Sequence, residues 1–208
     1  MSAAATSGQF EISPKFTVQD WLNLDLDNPT EANWLKAADI LKDRIEGRFL
    51  KPAQALIDAG EDDASTRFGF AILALDFLVI ETVQGFREGL TNHDKNSTRL
   101  FKNFLLQWDQ FQASVAGRGD KEKEDKALEL YIQGRCALHH SGTTDKLIVG
   151  RRGDMLKFNG DGTIQVNRTE FHKLLTHEFN RYMAGLRNPT SVDLRANLKN
   201  KMDAICRN

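Results

Sequence analysis

Apolar residues recur every three or four positions through most of this chain, which is the spacing of an amphipathic helix. The pattern predicts helices over about 31–46, 52–59, 67–88, 98–115, 121–140, 170–186 and 191–205. Residues 1–28 lack such a pattern, so we expect a loosely ordered arm that Phe16, Trp21 and Leu22 hold against the core. Residues 29–208 are then a single domain.

The predicted helix over 67–88 is apolar almost all the way round. A helix without a wide polar face is either central to a bundle or faces a partner subunit. Ser65 or Thr66 is expected to cap its start, and Gly89 follows its end. Its two carboxylates, Asp76 and Glu81, need partners at that depth. They are either satisfied locally, or one of them orients an arginine or a histidine.

The pattern changes over about 147–166, where apolar and polar residues alternate as in short strands. Asn159-Gly160-Asp161-Gly162 is a strong turn signal between the last two strands. The sequence therefore predicts a mainly all-α helical bundle with a small β-hairpin inserted before its last two helices. Arg151 and Arg152 beside this hairpin either contact phosphates or lie in an ordinary exposed turn.

Composition indicates an ordinary globular protein of 208 residues, with 40% hydrophobic and 27% charged residues. The net charge of -1 excludes a global basic field, so nucleic-acid binding requires a local patch. Two cysteines without metal-ligand spacing favour a reducing cytoplasm. No apolar leader is present, and the longest apolar run contains Asp76, so we expect neither a signal peptide nor a membrane span.

The densest chemistry lies in Tyr131-Ile132-Gln133-Gly134-Arg135-Cys136-Ala137-Leu138-His139-His140, followed by the loop Ser141-Gly142-Thr143-Thr144. Arginine presents a rigid, permanently charged fork of donors to phosphate oxygens. Histidine exchanges protons near neutral pH. An arginine and a histidine about one helical turn apart can therefore stabilise charge and transfer protons at a phosphodiester without a metal. Alternatively, they only complement a helix C-terminus.

An all-helical chain with Arg-x4-His late in its sequence resembles the HEPN superfamily. The resemblance includes Tyr131, Leu138 and the serine–threonine loop, and it extends over roughly residues 30–190. It implies a four- or five-helix bundle that forms a homodimer, with the motifs facing each other across the interface. It also implies a metal-independent endoribonuclease of defence or toxin–antitoxin systems, which needs no cofactor and has RNA and an antitoxin or sensor protein as partners.

The resemblance also assigns roles to residues. Arg135 would bind the scissile phosphate, and His140, or His139 in its place, would act on the 2′-hydroxyl or the leaving 5′-oxygen. Tyr131, Cys136, Ser141 and Thr143 would contact the substrate. The product would carry a 2′,3′-cyclic phosphate, and no residue would bind a metal.

One position departs from the family. The residue after the arginine is often Asn, Asp or His, and Cys136 stands there with a weakly hydrogen-bonding thiol. Two alternatives therefore stay open. One is a non-catalytic module that binds a nucleotide, RNA or a protein, and the other is a structural bundle in which Arg135 and His140 form ion pairs.

Overall fold

The computed structural model describes residues 10–62, 67–92, 94–138 and 146–207. It shows a mostly helical chain, as the sequence predicted, with a small three-stranded sheet in place of the predicted hairpin. The helices are α1 (Val18–Leu22), α2 (Glu31–Ile45), α3 (Lys51–Asp62), α4 (Gly69–Arg87), α5 (Ser97–Gln107), α6 (Asp109–Ser114), α7 (Asp120–Leu130), α8 (Arg168–Arg187) and α9 (Val192–Arg207). Two π-helical segments, Glu46–Leu50 and Tyr131–Cys136, follow α2 and α7 directly.

The apolar helix α4 is central to the bundle. It contacts α3, α5, α8, α9 and both π-helical segments. By length and composition alone α4 could cross a membrane, but it is mostly buried inside the fold, as the core helix of a soluble protein is. Phe70 and Ala71 near its start are its most exposed residues, and six others are partly exposed. The alternative that α4 faces a partner subunit stays a prediction.

Both ends of α4 show how it is delimited. Gly89 has a φ of +62°, and the amides of Gly89 and Leu90 donate to the carbonyls of Phe86 and Gly85. This is a Schellman motif, which confirms that Gly89 ends the helix. At the start, Phe68 occupies the N-cap and no side chain caps the helix. Ser65 and Thr66, the predicted caps, lie outside the described residues.

The helix predicted over 98–115 is broken into α5 and α6. Trp108 lies between them with extended backbone angles, φ -92° and ψ 115°. Its indole ring is fully buried and meets Phe104 and Phe171 edge-on. The break turns the chain so that the Trp108 ring enters the core. The spacing of apolar residues predicted one continuous helix here and did not indicate the break.

The strands β1 (Leu147–Gly150), β2 (Leu156–Phe158) and β3 (Ile164–Asn167) form a sheet in the order β1-β3-β2. β2 and β3 are the antiparallel hairpin that the turn signal predicted. The sequence missed the parallel pairing of β1 with β3, in which Leu147 is opposite Ile164. Helix α8 follows β3 at once and begins two residues before the predicted start at 170, with Asn167 as its cap.

The described part of the N-terminal arm, residues 10–28, is packed rather than loosely ordered. Trp21 is buried, and its Nε1 donates to Asp203 Oδ1 at 2.9 Å. Gly47 lies so close to Pro14 that a Cβ there would be 2.5 Å from the proline Cγ. Leu22 is exposed, contrary to its expected role. The apolar residues of the arm are too few to form a periodic pattern. The sequence therefore did not show that they pack into the same core as the helices.

Candidate functional site

The segment that carries Arg135 is π-helical, not α-helical as the sequence suggested. The amide of Ala137 donates to the carbonyl of Ile132, five residues earlier. Such wide turns interrupt α-helices rarely and are frequent at functional sites. The rotation of about 100° per residue that holds in an α-helix therefore does not apply across this segment.

Close packing against α4 positions the π-helical segment. A Cβ on Gly134 would lie 2.7 Å from Cε2 of the fully buried Phe77. Glycine at this position therefore lets the motif backbone approach α4 directly. Tyr131 also packs inward, its ring edge-on to Phe101 at a centroid distance of 5.4 Å. The backbone before Arg135 is thus fixed on its inner side by aromatic rings.

Arg135 is held by a carboxylate of α4. Its Nε donates to Glu81 Oε2 at 3.1 Å, and the side chains of Arg135 and Glu81 are 17% and 9% exposed. The Ser97 hydroxyl donates to the other carboxylate oxygen at 2.7 Å. Ser97 is the first residue of α5, and Asn96 occupies the N-cap. Glu81 therefore orients Arg135 from the core side.

The second carboxylate of α4 has a histidine partner. Asp76 Oδ1 and His172 Nδ1 are 2.8 Å apart, and both side chains are buried. Burial raises the pKa of Asp76 to about 6, although the hydrogen bond and charge of His172 oppose this rise. Glu81 thus pairs with an arginine and Asp76 with a histidine, partners of the kind that one of the two alternatives required. The sequence analysis did not identify His172 as the partner of Asp76.

Lys201 on α9 is a charged residue near Glu81 that the sequence did not single out. Burial lowers the pKa of Lys201 to about 8, and the positive charge of Arg44 acts in the same direction. The negative charges of Glu81 and Glu88 oppose this. Lys201 belongs to no motif and lies 120 positions after Glu81 in the sequence, so only the fold brings the two together.

Tyr131 and Cys136 contact each other through a side-chain hydrogen bond. Burial raises the pKa of Tyr131, its hydrogen bond with Thr98 lowers that pKa, and its hydrogen bond with Cys136 raises it. Tyr131 is only 8% exposed, whereas Cys136 is half-buried. Tyr131 therefore has little surface for a ligand, and its contacts are those of a residue that supports the segment.

The other predicted site residues, His139, His140, Ser141 and Thr143, lie outside the described residues. The structure therefore gives the surroundings of Arg135 without those of its expected catalytic partners. Within the described ranges, no three His, Cys, Asp or Glu side chains come together as a metal site would require.

No family model, no curated protein and no solved structure matches this chain. The likeness to the HEPN superfamily thus rests on the residues of the motif and on the order of the helices.

Proposed function

We propose that this protein is a metal-independent endoribonuclease of HEPN type. The observation that carries the proposal is the contact between Arg135 and Glu81, because the carboxylate binds Nε and thereby fixes the guanidinium. A guanidinium has five N–H donors, so one hydrogen bond leaves others for a phosphate. Support also comes from the π-helical segment, which presents a partly exposed Arg135 at the edge of the bundle.

In the proposed reaction the 2′-hydroxyl oxygen of RNA attacks the adjacent phosphorus, and the bond from phosphorus to the 5′-oxygen breaks. A base removes the 2′-hydroxyl proton, and an acid protonates the departing 5′-oxygen. Arg135 stabilises the negative charge that develops on the phosphate oxygens. His140 performs proton transfer, with His139 as the alternative. The products are a 2′,3′-cyclic phosphate and a 5′-hydroxyl.

The experiment is incubation of the purified protein with mixed RNA in EDTA, followed by analysis of the product ends. Arg135→Ala, His140→Ala and His139→Ala are compared with His177→Ala, which changes an exposed histidine on α8. We expect at least about a 100-fold loss of cleavage for Arg135→Ala and for one of the two motif histidines. Unchanged cleavage in Arg135→Ala would show that the catalytic assignment is wrong.

A non-catalytic binding module is the second candidate, and the contact between Cys136 and Tyr131 favours it. The position after Arg135 holds a thiol directed to a buried tyrosine, where the family often has a better hydrogen-bonding side chain. Such a module would bind RNA in EDTA without forming product, and Arg135→Ala would weaken that binding. Formation of cyclic phosphate ends by the wild type would exclude it.

The homodimer, and an antitoxin or sensor partner in a defence setting, belong to the same proposal. Since α4 is mostly buried, a dimer that joins the motifs would use the outer side of the π-helical segment. Ile132 there is 48% exposed. Light scattering of wild type and Ile132→Glu would test this, because a buried charge at an interface shifts the equilibrium to monomer.

A further inference from the structure

The first turn of α5 carries two neighbouring hydroxyl groups that reach the supports of Arg135. The Ser97 hydroxyl donates to Glu81 Oε1 at 2.7 Å, and Glu81 binds the Arg135 side chain. Thr98, the next residue, is hydrogen-bonded to the side chain of Tyr131. Tyr131 is the first residue of the π-helical segment that carries Arg135. One turn of helix therefore contacts both the side-chain support and the backbone support of this arginine.

Ser97 fixes the direction of the Glu81 carboxylate. One oxygen of Glu81 accepts from the Ser97 hydroxyl, and the other accepts from Arg135 Nε at 3.1 Å. The bond to a carboxylate group turns easily unless both oxygens are held, because its torsion has no sharp minima. Lys201 also attracts Glu81, but a charge attracts from any direction and does not define the carboxylate plane. The Ser97 hydroxyl therefore determines where Glu81 presents its second oxygen.

The orientation of Glu81 passes directly to the guanidinium of Arg135. A guanidinium is planar, so a hydrogen bond at Nε fixes the plane in which the two terminal nitrogens lie. Among the described residues, no other hydrogen bond holds the Arg135 side chain. A phosphate bound by the terminal nitrogens would therefore lie where Glu81 and Ser97 direct it.

Thr98 acts on the backbone that precedes Arg135. Its partner Tyr131 is 8% exposed and packs edge-on to Phe101, one turn further along α5. Ring packing holds Tyr131 against α5, and the hydrogen bond of Thr98 adds a contact with a defined direction. The start of the π-helical segment is thus held by α5 through two different kinds of contact.

The beginning of α5 is itself fastened to the end of α4. Glu88 is the C-cap residue of α4, and it accepts from Arg99 Nη1 and, at 3.0 Å, from Asn103 Nδ2. Both donors lie within two turns of Ser97 on α5. A side chain that positions another group needs such a rigid support.

We propose that Ser97 and Thr98 are positioning residues for Arg135, Ser97 through the Glu81 carboxylate and Thr98 through Tyr131. Their role in catalysis rests on the proposed function, whereas the hold on the guanidinium is measurable without any reaction. A guanidinium of undefined direction still attracts RNA by its charge but stabilises the transition state poorly. Loss of the Ser97 hydroxyl should therefore lower kcat and leave KM nearly unchanged.

The first test observes the guanidinium by nuclear magnetic resonance of protein labelled with ¹⁵N-arginine. The Nε–H signal of Arg135 is identified by its loss in Arg135→Lys. In Ser97→Ala we expect this hydrogen to exchange with solvent about tenfold faster, because its hydrogen bond to a charged acceptor is weakened. Ser97→Thr keeps a hydroxyl and should exchange as the wild type does. A wild-type exchange rate in Ser97→Ala would overturn the proposal for Ser97.

Thr98→Val removes the second hydroxyl at nearly constant volume and should raise the exchange rate about threefold. Ser114→Ala is the matched control, because Ser114 is a partly buried serine on α6 whose hydroxyl donates to the Gln110 carbonyl at 2.9 Å. Its Arg135 signal should be unchanged. An increase in Ser114→Ala equal to that in Ser97→Ala would show general loosening of the fold and would overturn the proposal, and a wild-type rate in Thr98→Val would remove Thr98 from it.

The second test measures RNA cleavage in EDTA by the same variants. We expect kcat to fall about tenfold in Ser97→Ala, with KM within about twofold of the wild-type value, and Ser97→Thr to restore kcat. A rise in KM with unchanged kcat would contradict a positioning role. If the wild type cleaves no RNA, the proposed function is wrong, and the exchange rates alone decide whether Ser97 and Thr98 position Arg135.

Discussion

Helix α4 carries two buried carboxylates, and their partners differ. Glu81 binds Arg135 Nε through one oxygen and accepts from Ser97 through the other. Asp76 lies deeper, and its Oδ1 is 2.8 Å from Nδ1 of the buried His172. Arginine keeps its charge at every ordinary pH, whereas a histidine can lose its charge. Glu81 therefore lies in a contact of fixed charge, and Asp76 in one that responds to pH.

The largest expected effect is on the pair of Arg135 and Glu81. Glu81→Ala leaves the mostly buried Arg135 without its carboxylate, and breaking such a pair should cost about 4 kcal/mol in the free energy of unfolding. Urea unfolding measures this value. The control is Arg67→Ala, which changes an exposed arginine before α4 and should alter stability by less than about 0.5 kcal/mol. A similar loss in both variants would show that the effect does not come from breaking the pair.

The second prediction concerns Asp76, the carboxylate that pairs with His172. Its carboxyl titrates near the ordinary pKa of 3.8 in the unfolded chain and near about 6 in the folded one. The folded state thus binds more protons between these values, so stability falls as pH rises from about 4 to about 6. The loss should approach about 3 kcal/mol. Urea unfolding at several pH values should show this slope in wild type and a flatter one in Asp76→Asn. An identical slope in both would contradict the assignment to Asp76.

The smallest expected effect tests the packing that positions Arg135. Gly134→Ala places a Cβ against Phe77, and the strain should outweigh the better helix propensity of alanine by about 1 kcal/mol. Gly160→Ala is the control, because nothing lies within 4 Å of its Cβ position. Thermal unfolding of both variants gives the comparison. A stabilised Gly134→Ala would show that the segment is not held against α4 as closely as described.

The sequence predicted the fold correctly where a few neighbouring residues determine the local structure. Gly89 ends α4 and the Asn159–Gly162 turn joins β2 to β3, as predicted from single residues or short motifs. The break at Trp108 and the parallel pairing of β1 with β3 were missed. Both depend on contacts between residues distant in sequence, which apolar periodicity does not contain.

The same limit applies to the sites. From the sequence, Asp76 and Glu81 needed partners at that depth, and two alternatives stayed open: local satisfaction, or orientation of an arginine or a histidine by one of them. That Glu81 takes Arg135 and Asp76 takes His172 depends on how α8 and the π-helical segment pack on α4. Arg67 and Arg168, which line one cavity together with Arg151, are separated by 101 positions and meet only in the fold.

The wide turn at Tyr131–Cys136 amounts to one additional residue in an otherwise regular helix. An extra residue rotates everything after it by about 100° relative to an uninterrupted α-helix. The side chains before the extra residue pack into the core, as those of Leu130 and Tyr131 do. Those after it are directed differently. Deleting Gln133 would therefore restore a continuous α-helix and turn Arg135 away from Glu81. The extra residue thus sets the direction of the Arg135 side chain, whereas helix formation itself does not require it.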